Sequence, residues 1–103
     1  MPHFVTVAKT SELPPGASGT YAVGDELVAV FNDEGVYKAI CDLCPHMGAS
    51  LAAGYVEDGE VTCPWHAWRF RLSDGTWCDN PRIKTKTFLV RVEGDEVQVA
   101  LPE

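Results

Sequence analysis

Two short segments of the chain place cysteine and histidine close together. Cys44 and His46 stand in the first segment, and Cys63 and His66 stand in the second. Each segment follows an apolar run with strand character, and a proline directly after each cysteine stiffens the backbone. Thiolate and imidazole groups are common ligands of transition metals. Two such pairs on separate loops therefore predict a metal ion or a metal cluster at the ends of strands.

The spacing allows two groupings of ligands. In the first, Cys44 and Cys63 supply thiolates and His46 and His66 supply imidazoles, as in a Rieske-type [2Fe-2S] site. In the second, Cys41 joins Cys44, Cys63 and His66 in a Cys₃His zinc site. The zinc grouping leaves His46 and the aromatic residues after His66 without a role. The first grouping leaves only Cys41 unexplained, and we favour it.

The runs 44–51 and 63–70 resemble the two cluster-binding loops of Rieske-type ferredoxins, which are electron carriers of bacterial ring-hydroxylating oxygenase systems. The resemblance extends over nearly the whole chain. It implies a low-potential ferredoxin that takes one electron from a flavin-dependent reductase and passes it to a terminal oxygenase. A Rieske-type small subunit of a nitrite-reductase-like complex is the alternative within the family. A zinc-stabilised binding module without redox activity is the alternative from another class.

The resemblance also implies a ligand set and a fold. Cys44 and Cys63 would hold one iron of a single [2Fe-2S] cluster, and His46 and His66 would hold the other. The fold would be a Rieske-type antiparallel β-sandwich with a small cluster-binding subdomain at roughly 41–81. The residues 79–81 would form a third loop over the cluster.

Four positions bear on the reduction potential. In high-potential members of the family, an extra cysteine in each loop forms a disulfide, and here Ala49 and Trp65 stand at those positions. Serine and tyrosine hydroxyls of those members correspond to Trp68 and Phe70. Because hydrogen bonds to the cluster sulfurs stabilise the reduced state, their loss lowers the potential. We expect a value nearer about −150 mV than about +300 mV.

The elements that must position these loops have the pattern of strands. Short β-branched and aromatic runs alternate with turns rich in Gly, Asp and Asn, which indicates an all-β sandwich or barrel. A single domain would span 1–103, and only 49–53 has helical character, for about one turn. Tyr55 and Trp77 are expected in the strand core. The predicted strands are 4–8, 20–23, 26–31, 36–40, 60–63, 68–72, 87–92 and 96–101.

The composition excludes some classes of partner and indicates where in the cell the protein acts. The net charge of −7 argues against nucleic acid or an anionic membrane as the main partner. No apolar run approaches the roughly 18 residues of a membrane span, and no secretory signal is recognisable, so we expect a cytoplasmic protein. No catalytic triad or nucleotide-binding glycine motif is present, which favours an electron carrier over an enzyme. Protein docking would then be transient.

Two further sequence features have competing interpretations. Cys41 and Cys78 are expected as reduced thiols, with a disulfide between them as the alternative. Six basic residues lie close together, either on a solvated strand face or in a docking patch for an acidic partner. These residues are Arg69, Arg71, Arg82, Lys84, Lys86 and Arg91.

Overall fold

The computed structural model describes residues 3–43, 50–64 and 68–100, and these form twelve β-strands and two short 3₁₀ turns. The turns span Thr10–Glu12 and Leu51–Ala53. The all-β fold class is confirmed, and the short helical segment expected near 49–53 is the second turn. The strands are β1 (Phe4–Lys9), β2 (Ser18–Val23), β3 (Glu26–Asp33), β4 (Val36–Cys41), β5 (Tyr55–Glu57), β6 (Glu60–Thr62), β7 (Arg69–Arg71), β8 (Thr76–Trp77), β9 (Asn80–Lys84), β10 (Thr87–Phe88), β11 (Val90–Glu93) and β12 (Glu96–Ala100).

The strands form three antiparallel sheets. One sheet has the order β1-β12-β11, the second β10-β4-β3-β2, and the third β5-β6-β7-β8-β9. The third sheet contains β6 and β7, which flank the second cysteine-histidine segment. The first segment follows β4 of the second sheet. The two segments therefore connect to strands of different sheets, and these sheets pack against each other.

Strand β3 is buried on both faces, which explains its nearly continuous apolar sequence. Ala29 and Phe31 belong to a hydrophobic cluster shared with the five-stranded sheet. Val28 and Val30 point the other way, into a second cluster shared with the three-stranded sheet. Because side chains alternate along a strand, a strand between two layers must be apolar at successive positions. β3 is thus the common wall of both cores.

The hairpin between β3 and β4 forms as the sequence predicts. Glu34 and Gly35 both have positive φ, at 54° and 94°, and glycine adopts such a φ without steric cost. The Asn32 side chain accepts the N–H of Gly35 at 2.7 Å. The turn thus fixes the register in which Asp33 pairs with Val36.

Three expectations are corrected. The segment 87–92 is two strands, because β10 pairs with β4 whereas β11 pairs with β12, so the chain changes sheet at Leu89. Tyr55 is in a strand, but β5 is an edge strand and the side chain is 64% exposed. Asn80 and Pro81 begin β9, and Asn80 pairs with Trp77 across a tight turn, so 79–81 is not an open loop.

The part of the chain that the structure describes contains no helix with the length and apolar character needed to cross a bilayer.

Candidate metal centre

Of the four predicted ligands, Cys63 lies in the described part of the chain. It directly follows β6 and is 1% exposed. Cys44, His46 and His66 fall outside the described residues. The geometry of the site is therefore derived from Cys63 and from the residues at which the two loops begin and end.

The second loop is closed at its base by the backbone. The N–H of Cys63 donates to the carbonyl oxygen of Trp68 at 2.6 Å, which extends the β6–β7 ladder by one step. Cys63 and Trp68 are consequently the last paired residues at this end of the hairpin, and His66 lies between them in the sequence. Such a closure fixes the direction in which the Cys63 side chain leaves the sheet, since side chains of a strand alternate between its faces.

The first loop is closed by a β-bridge and by a buried carboxylate. Leu43 and Ser50 form an isolated antiparallel bridge. Asp42, only 3% exposed, accepts the Ser50 hydroxyl and the N–H of Ala52 on one oxygen, each at 2.9 Å. Its carbonyl oxygen also accepts the N–H of Leu51 at 2.7 Å. Asp42 thus ties together the two ends of the segment that contains Cys44 and His46.

Sequence reasoning did not identify Asp42. The available signal was an acidic residue at the boundary between the apolar strand β4 and the first loop, where burial is expected. A buried carboxylate requires hydrogen-bond donors, and Ser50, at the far end of the loop, offers a hydroxyl.

The bases of the two loops meet in one core. Leu51, after the first loop, and Cys63, at the start of the second, are buried in the same hydrophobic cluster. Gly54 and Thr62 bring the flanking backbones together, because a Cβ at Gly54 would overlap the Thr62 carbonyl oxygen. Gly54 has an ordinary φ of −79°, so close approach and not backbone conformation requires glycine there. The chain therefore leaves the first loop close to the point where the second loop begins.

Aromatic rings line this core beside Cys63. Trp68 and Trp77 stack with their ring centroids 3.7 Å apart and an interplanar angle of 5°. Phe70 is fully buried, and its ring centroid lies 6.3 Å from that of Trp68. The Trp77 indole nitrogen Nε1 is buried, and none of the described residues accepts its hydrogen.

The remaining thiols are not joined to each other. Cys41 and Cys78 are both free, so the alternative disulfide does not form. Their backbone N–H groups donate to different neighbours, Lys86 for Cys41 and Arg69 for Cys78. Two effects raise the pKa of the Cys78 thiol: burial is the larger, and a hydrogen bond to Glu60 is the second. The protonated form is therefore favoured at neutral pH, as expected for an unreactive cysteine.

Three residues of the basic cluster form ion pairs within the chain. Lys86 forms an ion pair with Glu26 at 2.8 Å. Arg69 contacts Glu60 at 3.6 Å, and Arg91 lies 3.9 Å from Glu93. All three pairs are solvent-accessible, so each adds at most about 1 kcal/mol to stability.

The residues present fit an iron-sulfur cluster. The buried thiol of Cys63 is a suitable ligand for iron, and His46 and His66, which lie outside the described residues, carry imidazoles of the borderline type that iron accepts. The apolar and aromatic surroundings of Cys63 exclude water from its side of the site. The indole N–H of Trp77, which has no acceptor among the described residues, is a donor of the kind that stabilises cluster sulfurs.

Comparison with known proteins identifies the domain. The sequence pattern of the Rieske [2Fe-2S] domain matches residues 3–99. The ferredoxin component of an alkene monooxygenase system from Xanthobacter autotrophicus is 30% identical over 97 residues, which cover 93% of this chain and 80% of that protein. The biphenyl 2,3-dioxygenase ferredoxin component of Rhodococcus jostii is 33% identical over 96 residues, covering 92% and 90%.

Solved structures agree with this result. The ferredoxin of carbazole 1,9a-dioxygenase from Nocardioides aromaticivorans superposes with a TM-score of 0.88 at 31% identity, covering 96% of this chain and 98% of that one. A ferredoxin in complex with the oxygenase of carbazole 1,9a-dioxygenase gives 0.84 at 29% identity, covering 94% and 92%. A protein described as the small subunit of an NADH-dependent nitrite reductase from Mycobacterium tuberculosis gives 0.92 at 28% identity, covering 100% and 98%.

These matches identify the cofactor that the two groupings of ligands left open. The cofactor is one Rieske-type [2Fe-2S] cluster, and the zinc grouping is set aside. The Rieske-type antiparallel fold expected from the sequence is confirmed as well.

Proposed function

Because the chain belongs to the Rieske [2Fe-2S] domain family, we propose that it is a low-potential carrier of single electrons between a flavin-dependent reductase and a terminal oxygenase. The observation that carries this proposal is the match over most of their length to ferredoxin components of oxygenase systems. A role as electron carrier rather than catalyst follows from the same relatives. The cluster accepts and releases one electron when bound, and the protein supplies its ligands, its shielding and its docking surface.

We assign Cys44 and Cys63 to one iron and His46 and His66 to the other. The burial of Cys63 supports this assignment on the thiolate side. The bonds from Ser50 and Ala52 to Asp42 support it for Cys44 and His46, because they bring together the two points of the chain between which both residues lie. The single domain 1–103 would place its cluster-binding part at roughly 41–81.

The expected low potential follows from charge and hydrogen bonding. Two ferric ions, two sulfides and two thiolates make the oxidised core neutral, so reduction leaves a net charge of −1. Donors that stabilise this charge raise the potential. Trp68 and Phe70 provide no hydroxyl group at the positions where high-potential relatives have one. We therefore place the protein at the low end of the range, nearer about −150 mV.

The proposed partners are a flavoprotein reductase and a terminal oxygenase, in the cytoplasm. The complex of a similar ferredoxin with its oxygenase supports the second partner. Docking of this kind is transient, because a carrier must leave one partner to reach the next.

The test is a two-step electron transfer without oxygen. The cluster-loaded protein is mixed with NADH and a flavoprotein reductase of a three-component dioxygenase system, and the visible absorption of the cluster is followed. We expect bleaching, and then recovery of the colour on addition of the oxidised oxygenase of that system. A protein that is reduced by dithionite but exchanges electrons with neither component would contradict the proposal.

A second candidate is a fixed small subunit of a nitrite-reductase-like complex. The superposition on a protein described as such a subunit, over the full length of this chain, favours it. The two candidates differ in the lifetime of the complex. A subunit elutes from native cell extract in a stoichiometric assembly with a large protein, whereas a carrier elutes alone at about its own mass of 11.2 kDa.

A further inference from the structure

Trp77 has a buried hydrogen-bond donor without an acceptor. Its Nε1 is shielded from solvent, and the described residues provide no partner for it. Buried polar groups in folded proteins are almost always paired, and an unpaired donor costs about 1–3 kcal/mol. A buried donor that finds no acceptor among the described residues is therefore expected to meet a group that binds there.

The position of Trp77 indicates which group that is. Trp77 pairs with Phe70 across β7 and β8, and Phe70 pairs with Val61 across β6 and β7. Residues directly opposite one another have side chains on the same face of a sheet, and so do residues two apart in one strand. Cys63, two residues beyond Val61, therefore shares this inner face.

Packing brings the donor into the surroundings of the ligand. The Trp77 ring packs against the hydrophobic cluster that contains Cys63, and it stacks on Trp68, whose carbonyl oxygen closes the second loop. The stack restricts the plane of the Trp77 ring, which fixes the direction of its N–H. The cluster atoms that Cys63 would hold are rich in acceptors, since sulfide and thiolate sulfurs carry negative charge.

We propose that the Trp77 indole N–H donates a hydrogen bond to a sulfur of the [2Fe-2S] cluster or of its thiolate ligand, and that this bond raises the reduction potential. The inference rests on the proposed ligand Cys63. One-electron reduction takes the core from neutral to −1, so the donor stabilises the reduced state more than the oxidised state. Trp77 would thus partly offset the loss of hydroxyl donors at Trp68 and Phe70.

The sign of the effect separates this role from simple shielding. If Trp77 only excluded water, its truncation would admit solvent, stabilise the more negative reduced state and raise the potential. If Trp77 donates to a sulfur, removal of the N–H lowers the potential. The two roles therefore predict opposite shifts.

The first test measures the midpoint potential of cluster-loaded variants by protein-film voltammetry. Trp77→Phe removes the donor and part of the ring. Replacement of Trp77 by 3-benzothienylalanine removes the N–H alone, because sulfur takes its place in a bicycle of the same shape. We expect a lower potential in both variants. An unchanged or higher potential in the benzothienyl protein would overturn the proposal.

The second test observes the donor itself in the wild-type holoprotein. The indole ¹⁵N–H signal of Trp77 is identified by its absence from the spectrum of Trp77→Phe. A proton bonded to a cluster sulfur should shift or broaden strongly on reduction, because unpaired spin reaches it through the bond. A sharp signal at the same position in both oxidation states would contradict the bond. Electron delivery by the wild-type protein is measured separately, so a failure of the carrier function is distinguishable from a failure at Trp77.

Discussion

The carboxylate of Asp42 accepts the hydroxyl of Ser50 at 2.9 Å, across a stretch of chain that contains two of the four proposed cluster ligands. The same oxygen accepts the N–H of Ala52, so one buried side chain fixes the end of the loop through both a hydroxyl and the backbone. The residues that flank this stretch are therefore held together by the polypeptide itself.

Asp42 should be needed to retain the cluster. Asp42→Ala leaves the partly buried N–H of Ala52 and hydroxyl of Ser50 without their acceptor, which we expect to lower the free energy of unfolding by about 1–3 kcal/mol. Asp42→Asn keeps an acceptor oxygen and is the matched control. Iron content after dialysis against a chelator should fall in the alanine variant and remain closer to wild type in the asparagine variant. Equal iron retention in Asp42→Ala and wild type would contradict the role.

Replacement of Gly54 even by alanine should destabilise the protein. A methyl group there would overlap the Thr62 carbonyl oxygen, next to Cys63, and such overpacking costs about 1–3 kcal/mol. Denaturant unfolding of Gly54→Ala should show this loss together with faster release of iron.

Gly94→Ala provides the control for Gly54. Gly94 lies in the turn between β11 and β12 at a φ of 62°, and a methyl group on its Cα would point into open space, so alanine there incurs only the cost of a left-handed backbone. It should destabilise the protein without accelerating iron release. Equal rates of iron release in the two variants would show that the Gly54 contact does not position the second loop.

The turn before Trp77 should contribute to stability in a pH-dependent way. The hydroxyl and N–H of Thr76 donate to Asp74 at 2.7 and 3.0 Å, and these bonds lower the pKa of the Asp74 carboxyl below its ordinary value of 3.8. Because the folded state favours the ionised form, the contribution is complete above that value and is lost as the pH falls through the lowered pKa. The difference in unfolding free energy between wild type and Asp74→Asn should shrink over that range. A difference that stays constant down to the lowest pH measured would contradict the account.

A hydroxyl at position 68 should raise the reduction potential. Trp68→Ser introduces a donor where high-potential relatives carry one, and Trp68→Ala removes the ring without adding a donor. The potential of the serine variant should exceed that of the alanine variant, since both lose the same shielding and differ by one hydroxyl. If the two cluster-loaded variants have the same potential, our explanation of the low potential is wrong.

The sequence predicts most of the fold because local patterns determine hairpins. The β3–β4 and β11–β12 hairpins follow from strand-forming runs on either side of turns with positive φ. The break at Leu89 was not predictable, since the segment on either side has uniform strand propensity and only tertiary pairing divides it. The exposure of Tyr55 was missed for a related reason: residue type does not reveal whether a strand lies at the edge of a sheet.

For the site, the sequence predicts the candidate ligands but not the contacts that surround them. The types and spacing of the proposed ligands are local, so the assignment of Cys44, His46, Cys63 and His66 needs only the sequence. The roles of Asp42 and Trp77 depend on contacts between separate segments, because one acts across a loop and the other acts across three strands. The burial of Asp42, and the lack of an acceptor for Trp77 within 3–43, 50–64 and 68–100, become visible only in three dimensions.

The most direct test of the central claim counts histidine nitrogens on the cluster. Protein labelled with ¹⁵N-histidine is reduced, and electron-nuclear double resonance is recorded for wild type, His46→Cys and His66→Cys. We predict two coupled histidine nitrogens in wild type and one in each variant that retains its cluster. A wild-type spectrum without histidine coupling, or a spectrum that neither substitution changes, would contradict ligation by two thiolates and two imidazoles at the ends of these loops.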